Sequence, residues 1–290
     1  MKASWTTVIL TLVSVTATSA QPQLSAAPPD LRTGIYRGRV VTYEVVNGVA
    51  IYEGDVILDS VQELAGGIPQ AGFGIAYTNF LWPLVGSVYQ VPYVIAGAPG
   101  NIADAITSFN TNLADLIQFV PRTAEDNYVN FNLDAANQSG VCFSDEGMIG
   151  GMQQIGGSAI CVTATLVHEM GHAIGLYHEQ SRADRDTYVT VRYENVIKGS
   201  RSEFDQILDN AQILGAYDYR SVMHYNAFGF TRNGEPTLES IPPGIPLSNT
   251  VGYSDVDLDG IRRLYVAAPT AVKVSSNPPG LQVIVDGVPR

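Results

Sequence analysis

The histidines of this chain are few and crowded together, and they restrict its fold more than any other residues do. The 290-residue sequence has four histidines, of which His168, His172 and His178 fall in one short segment, HEMGHAIGLYH. On a helix, the spacing of His168 and His172 places both side chains on the same face. Gly175 can adopt the left-handed conformation that ends a helix without a Cβ clash. The segment therefore predicts a helix that ends near Gly175, followed by a sharp bend that brings His178 back beside the other two.

Three neutral imidazoles that converge on one point can bind a divalent cation. Three protein ligands with an open fourth position are typical of catalytic zinc rather than structural zinc, although Co²⁺, Mn²⁺ or Cu²⁺ can occupy such a site in vitro. Glu169 follows the first histidine directly. Zinc lowers the pKa of a bound water towards about 7, and Glu169 can take its proton as the water attacks a carbonyl. The pattern predicts metal-assisted peptide hydrolysis.

Two other interpretations of this segment stay open from the residues alone. A lone His-Glu-x-x-His arises by chance in ordinary amphipathic helices. Ordinary core or surface histidines would be scattered, however, and here only His224 lies outside the cluster. A binding protein could also keep the same zinc for structure. A structural site needs no general base, so Glu169 argues against that alternative.

The charge of the chain excludes several classes of partner. The sequence has 16 Lys+Arg residues against 28 Asp+Glu residues, a net charge of −12. An acidic surface repels phosphate backbones and anionic lipid head groups. We therefore expect neither nucleic-acid binding nor electrostatic docking to a membrane.

The first 20 residues predict export. Lys2 is followed by an apolar run over 5–15 and by small residues at 17–20, the pattern of a cleaved signal peptide. The alternative is a membrane anchor, but the run is too short to cross a bilayer. Export leads to an oxidising compartment, where Cys142 and Cys161 can pair; the alternative is two buried free thiols. We expect a secreted protein without a membrane attachment once the signal is removed.

Hydrophobic periodicity predicts the main secondary structure. Alternating patterns favour strands over 36–58 and 88–95, and apolar residues three and four apart favour helices over 101–120 and 163–176. A glycine- and proline-rich stretch at 64–76 is suited to proteolytic nicking.

The C-terminal end has a pattern of its own. Residues 267–271 are typical of a linker, and 272–287 predict two strands around a Pro-Gly turn. The sequence SSNPPGLQVIVDGVPR resembles the opening hairpin of PEGA-type β-domains. We therefore assign 269–290 as a linker and an incomplete β-hairpin segment.

A second motif, Ser-Val-Met-His-Tyr at 221–225, identifies the family that the chain resembles. Together with the segment from His168 to Glu179 it is similar to the astacin family of metzincin endopeptidases, whose long zinc motif ends in Glu and whose Met-turn has this form. The resemblance extends over about 80–265. It implies an α+β fold, with a mixed twisted sheet and two long helices above an active-site cleft and a less regular lower subdomain. A protein or peptide substrate would lie extended in the cleft.

The resemblance also implies roles for single residues. Met223 would form a hydrophobic floor beneath the zinc. Tyr225 would ligate the zinc weakly at rest and swing away to hydrogen-bond the oxyanion during turnover; the alternative is a core tyrosine. His224 would be structural. Glu179 would receive a freed N-terminus, and residues 151–155 would form the edge strand that binds substrate.

The segment before the domain resembles a propeptide. Tyr-Glu-Gly-Asp-Val at 52–56 is similar to the family's inhibitory motif, in which an aspartate, here Asp55, ligates the zinc and displaces the water. The alternative is an ordinary turn between strands. Cleavage within 66–79 would release the segment. The family usually has two disulfides, and Cys142 and Cys161 fit one of them.

These patterns divide the chain into a signal peptide (1–20), a propeptide (21–75), an astacin-like catalytic domain (76–268) and the C-terminal segment. We expect a secreted zymogen of a zinc endopeptidase with one Zn²⁺ per chain, inhibited by its own propeptide. Two other metzincin classes fit less well. Serralysin-type proteases would show glycine-rich calcium repeats and matrixin-type zymogens a propeptide cysteine, and the sequence has neither.

Overall fold

The structure is a computed structural model. It describes residues 30–36, 39–46, 48–58, 80–96, 100–133, 141–158, 160–208, 211–248, 251–266, 284–285 and 288–289. The predicted signal peptide, the predicted cleavage stretch at 66–79 and most of the predicted C-terminal hairpin lie outside the described residues. Among the helices that the structure describes, none combines the length and the apolar character needed to cross a membrane.

A mixed ten-stranded sheet forms the centre of the described structure. Its strands are β1 (Leu31–Tyr36), β2 (Arg39–Val46), β3 (Val49–Tyr52), β4 (Val56–Ile57), β5 (Leu84–Val85), β6 (Val88–Ala96), β7 (Ile117–Pro121), β8 (Tyr128–Asn132), β9 (Phe143–Ser144) and β10 (Met152–Gly156). They lie in the order β1-β2-β3-β4-β9-β10-β8-β6-β5, and β7 also pairs with β6. The pairs β6–β7, β6–β8 and β8–β10 are parallel, whereas β9 and β10 are antiparallel.

Residues 30–58, called the N-terminal segment below, add four strands to this sheet. Strands β1 to β4 pair antiparallel in sequence order. The alternating pattern over 36–58 predicts β2 to β4, whereas β1 lies almost wholly before that range. The segment joins the rest of the sheet where β4 runs parallel to β9, with Val56 opposite Ser144. The N-terminal segment therefore lengthens the sheet by four strands beyond β9.

Within the described residues, three helices accompany the sheet: α1 (Gly100–Asn112), α2 (Thr163–Ala173) and α3 (Asp255–Val266). Helices α1 and α2 pack against each other and against the sheet, and side chains of all three share one apolar core. Buried Trp82 donates its indole N–H to the carbonyl of Ala173 at 2.8 Å, which fixes the end of α2. The predicted disulfide between Cys142 and Cys161 is present and ties the chain just before β9 to the start of α2.

The prediction of a helix over 101–120 is wrong in its second half. Helix α1 ends at Asn112, and Ile117–Pro121 forms strand β7. The side chain of Asn110 donates to the carbonyl of Phe119 at 2.8 Å and accepts from its N–H at 2.9 Å, which folds the strand back along the helix. The apolar residues fit both a helical and an alternating period, so periodicity alone did not separate the two elements.

The prediction that residues 151–155 form the edge strand is also wrong. Strand β10 (Met152–Gly156) lies inside the sheet, between β8 and β9. The strand that faces the N-terminal segment is β9, which has two residues, Phe143 and Ser144. A strand this short has too few positions for an alternating pattern to identify it.

The part of the chain after α2 is less regular, as the family resemblance implies. It contains three short 3-10 turns (Glu179–Ser181, Arg185–Thr187 and Arg201–Phe204) and a small sheet of β11 (Val189–Val191) and β12 (Leu238–Ser240). It has its own apolar cluster. The α+β class is confirmed. Near the C-terminus, β13 (Ile284–Val285) and β14 (Val288–Pro289) pair with each other.

Candidate metal centre

Helix α2 carries the first two histidines, and the Nδ1 atom of each ring is hydrogen-bonded to a backbone carbonyl. His168 donates its Nδ1–H to the carbonyl of Val222 at 2.7 Å, and His172 donates to the carbonyl of Leu176 at 2.8 Å. A histidine whose Nδ1 carries the proton has its Nε2 lone pair free for a metal. Both rings are therefore fixed with Nε2 available as a ligand.

The bend after α2 brings in the third histidine. Gly175 has a φ of +105°, a left-handed conformation that L-residues with side chains rarely adopt. The N–H of Gly175 bonds to the carbonyl of His172 at 2.8 Å, and the N–H of Leu176 bonds to that of Gly171 at 2.9 Å. These bonds close the end of the helix and turn the chain, so that His178 lies beside the two histidines of α2.

The three Nε2 atoms and one carboxylate converge. Nε2 of His168 lies 3.1 Å from Nε2 of His172 and 3.3 Å from Nε2 of His178. Oδ2 of Asp55 lies 3.2 Å from Nε2 of both His168 and His178, and its Oδ1 lies 3.7 Å from Nε2 of His172. The four ligand atoms all lie within 4.8 Å of one another.

This donor set fits Zn²⁺. Zinc–nitrogen bonds of about 2.0–2.1 Å in a tetrahedron place neighbouring ligand atoms about 3.3 Å apart, close to the observed spacing. Oδ1 of Asp55 is buried without a hydrogen-bond partner among the described residues, as suits an atom that faces a cation. His224 does not belong to the group. Its Nδ1–H donates to the carbonyl of Tyr225 at 2.6 Å, and its Nε2 accepts from the hydroxyl of Tyr217 at 2.8 Å.

Burial and mutual charge shift the pKa values of these groups. Burial lowers the pKa of His172 well below its usual value. Burial alone would lower the pKa of His178 as well, but the carboxylate of Asp55 raises it well above the usual value. Burial alone would raise the pKa of Asp55, but His178 and the hydrogen bonds from the rings hold it far below its ordinary range. The carboxylate of Asp55 thus stays ionised against the imidazoles.

Glu169 lies on α2 beside the cluster. Its side chain is buried, and its Oε2 has no hydrogen-bond partner in the described part of the chain. Burial raises the pKa of Glu169 well above that of a free glutamate, and the nearby carboxylate of Asp55 raises it further. A buried carboxyl group with a free oxygen next to a metal site is suited to proton transfer.

The segment at 221–225 lies beneath the histidines. Met223 is buried, and its sulfur would lie 2.5 Å from a Cβ built on Gly171, so a glycine in α2 makes room for the methionine. The ring of Tyr225 lies 4.7 Å from that of His178. The hydroxyl of Tyr225 donates to the backbone carbonyl of Glu53 in the N-terminal segment.

Glu179 follows the third histidine directly but is not among the residues whose ligand atoms converge. It accepts from Nη1 of Arg182 at 2.9 Å and from the N–H of Asp218 at 2.8 Å. Burial raises the pKa of Glu179 to about 7, although Arg182 lowers it in part. Glu179 lines a partly open pocket with a volume of about 100 Å³.

Comparisons with known proteins identify the family. The family model for the astacin peptidases matches residues 81–266. The chain belongs to the astacin family. Residues 81–266, called the astacin domain below, therefore carry the fold of a zinc metallopeptidase. The resemblance to astacins and the zinc cofactor expected from the sequence are confirmed.

Individual relatives agree with this family. The chain is 36% identical over 185 residues to the zinc metalloproteinase nas-13 of Caenorhabditis elegans. This match covers 61% of this chain and 40% of that protein. It is 30% identical over 251 residues to the astacin-like metalloprotease toxin 1 of Loxosceles intermedia. This second match covers 83% of this chain and 89% of that protein. The chain thus spans less than half of nas-13 but most of the spider toxin.

A solved structure agrees as well. High choriolytic enzyme 1, a hatching enzyme zinc-protease from Oryzias latipes, superposes with a TM-score of 0.58 at 31% identity. The match covers 65% of this chain and 96% of that chain.

Sequence reasoning missed two residues at the site. The carboxyl group of Glu53 contacts His178, and the only available signal was its place in the Tyr-Glu-Gly-Asp motif. Asp257 of α3 accepts from the hydroxyl of Ser221 at 2.6 Å and from the N–H of Val222 at 3.0 Å, and so fixes the loop below the histidines. Nothing in the sequence indicated the partners of Asp257.

Proposed function

We propose that this chain is a secreted zinc endopeptidase made in a latent form. In this proposal residues 76–268 hydrolyse peptide bonds, and the N-terminal segment inhibits them. The supporting observation is the convergence of His168, His172 and His178 on Asp55, because the fourth ligand atom comes from a segment outside the astacin domain. The predicted signal peptide supports export.

Glu169 acts as the general base of this reaction. Zinc held by the three histidines would supply a Lewis acid and lower the pKa of a water to about 7. Glu169 takes a proton from the attacking water and hands it to the leaving amine. The buried and unpartnered Oε2 of Glu169 supports this role.

Tyr225 and Met223 complete the site from below. In the latent form the hydroxyl of Tyr225 is bonded to the backbone of Glu53. Once the N-terminal segment leaves, this donor is free to bond to the oxygen of a substrate carbonyl as negative charge develops there. The packing of Met223 against Gly171 supports its place as the floor of the site.

Latency has two parts in this proposal. The carboxylate of Asp55 takes the fourth position beside the histidines, so no water can occupy it. Strand β4 pairs with β9 and covers the sheet edge that an extended peptide substrate would join as an added strand. Cleavage within 66–79 would release both contacts.

Glu179 receives the new N-terminus in this proposal. Cleavage creates an ammonium group, which a buried carboxylate can bind. The pocket beside Glu179 is lined also by Asp218, Asp257 and Arg182. Its three carboxylates outnumber the one guanidinium, which supports the role.

The test uses the secreted chain after processing. We expect it to cleave casein, to lose activity with a chelator and to regain activity with zinc. Glu169→Gln should bind zinc and hydrolyse almost no casein. A processed, zinc-loaded protein without peptidase activity, or an active Glu169→Gln variant, would contradict the proposal.

A further inference from the structure

Glu53 makes a second contact between the N-terminal segment and the metal centre. Its side chain is completely buried. Oε2 of Glu53 accepts from Nδ1–H of His178 at 2.9 Å, and Oε1 accepts from the hydroxyl of Ser181 at 3.1 Å. Both partners belong to the astacin domain. The carboxyl group of Glu53 therefore bridges the third histidine and the turn that follows it.

The three histidines differ in the group that accepts the hydrogen bond from their Nδ1–H. His168 and His172 donate Nδ1–H to backbone carbonyls of the astacin domain. His178 donates instead to a carboxylate of the N-terminal segment. A carboxylate on Nδ1 fixes the tautomer and orientation of a ligating histidine and increases the basicity of its other nitrogen. Removal of the segment therefore changes the support of His178 and leaves that of the other two intact.

The backbone of the segment is shaped to deliver two carboxylates together. Glu53 has a φ of +49° and Gly54 a φ of +82°, so two successive residues are left-handed. A Cβ on Gly54 would lie 2.7 Å from the ring of Phe230, so the glycine is needed for close approach. This tight turn directs the side chains of both Glu53 and Asp55 towards the histidines. A left-handed glutamate is uncommon and indicates that the surrounding contacts impose the conformation.

We infer that Glu53 is a positioning residue for the metal, and that the N-terminal segment retains zinc through His178 as well as through Asp55. The inference rests on the proposed function, because it assumes a zinc ion at this site. It adds that the segment increases metal retention as well as blocking the site. The latent form should release zinc more slowly than the processed form, and Glu53 should account for part of that difference independently of Asp55.

The test measures the rate at which zinc passes from the full chain to a chromogenic chelator. We expect Glu53→Ala to increase the release rate roughly 10- to 100-fold, the usual effect of losing an outer carboxylate. Glu53→Gln should increase it less, because the amide oxygen can still accept from His178. The increase should also occur in an Asp55→Ala background. Glu44→Gln removes a carboxyl group from the same segment, on β2, and should release zinc at the wild-type rate.

Processing supplies an internal control. After cleavage and removal of the segment, wild-type protein and Glu53→Ala should release zinc at the same rate. With Co²⁺ in place of zinc, the visible absorption spectrum should differ between wild type and Glu53→Ala before processing and should be identical afterwards. A role of Glu53 in folding alone would not change the spectrum of the bound cobalt.

The outcomes separate this inference from the proposed function. Wild-type release rates in both Glu53→Ala and Glu53→Gln, with faster release in Asp55→Ala, would overturn the inference and leave latency through Asp55 intact. Absence of zinc from the wild-type chain would overturn both. If Glu53→Ala does not fold, the nearly isosteric Glu53→Gln decides: faster release supports the inference, and an unchanged rate refutes it.

Discussion

The astacin domain and the N-terminal segment differ in what holds each of them together. The domain has an apolar core shared by its three helices and the sheet, a second apolar cluster in its lower part, and a disulfide between Cys142 and Cys161. The N-terminal segment has a small separate cluster of buried residues: Val41, Tyr43, Ala50, Tyr52, Val56 and Leu58. Where the two regions meet at the metal centre, the contacts are mostly polar. They come from Glu53 and Asp55.

This difference explains how the astacin domain can stay folded when the N-terminal segment separates from it. The apolar cluster of the N-terminal segment does not merge with those of the domain, so apolar burial is largely separate in the two regions. At the metal centre the carboxylates of Glu53 and Asp55 contact imidazoles and connect the regions. Such contacts are specific in geometry. In the proposed function, a cut within 66–79 would therefore free the N-terminal segment without opening the core of the domain.

The largest expected effect lies within the domain and concerns chemistry alone. Glu169→Gln should lower the rate of casein hydrolysis by the processed form roughly 10²- to 10⁴-fold, because the general base is lost. The zinc content should stay unchanged, since the three histidines remain. Glu235→Gln, at an exposed position, is the matched control and should keep wild-type activity. Loss of zinc together with activity would show that Glu169 supports the site and does not act as a base.

The next largest effect concerns the disulfide that stabilises the domain. Replacement of both Cys142 and Cys161 by serine should lower the free energy of unfolding of the processed form by about 3 kcal/mol, since the bridge closes a loop of 19 residues. Urea denaturation with and without reductant measures this. Latency of the unprocessed form should not change, because neither cysteine touches the N-terminal segment's carboxylates. A leaky unprocessed variant would show that the two regions are coupled through the disulfide.

A smaller effect is expected at the junction of the regions. Asp55→Ala should increase the peptidase activity of the unprocessed form roughly 10- to 100-fold, because a hydrogen bond to a charged group contributes about 1.5–3 kcal/mol. Activity after processing should equal that of wild type, since the segment is then gone. A fluorogenic peptide assay before and after processing gives both values. An unprocessed variant as silent as wild type would contradict the inhibitory role of Asp55.

The smallest effect concerns Glu203, a buried carboxyl group of the lower subdomain whose Oε2 has no partner within the described residues. Burial raises the pKa of Glu203 well above its usual value, and Glu53, Asp55 and Glu44 of the N-terminal segment raise it further. The folded form therefore binds this proton more tightly than the unfolded chain. Stability should fall as the pH rises from about 4.3, the unfolded pKa, through the raised folded pKa.

Glu203→Gln should remove this pH-dependent cost. We expect a gain of about 1–3 kcal/mol in the free energy of unfolding at pH 7 and almost none at pH 4. The gain should be larger before processing than after, because three of the neighbouring carboxylates leave with the segment. Urea denaturation at both pH values measures it. Equal gains at pH 4 and pH 7 would show that folding does not raise the pKa of Glu203.

The sequence was most informative where local rules decide the structure. The spacing of His168 and His172, and a glycine that ends their helix, predicted the approach of His178 because helix geometry and left-handed glycine act over a few residues. The end of α1 depended on Asn110 bonding to the backbone of Phe119, a contact that periodicity does not encode. The partner of Glu53 lies 125 residues away along the chain, and no local pattern indicates it.

Zinc-edge X-ray absorption of the unprocessed protein tests the central claim most directly. We expect one zinc per chain with three imidazole nitrogens and one carboxylate oxygen at about 2.0–2.2 Å, and loss of that oxygen on Asp55→Ala. A sulfur ligand, a shell made only of oxygen, or a spectrum that Asp55→Ala leaves unchanged would contradict it.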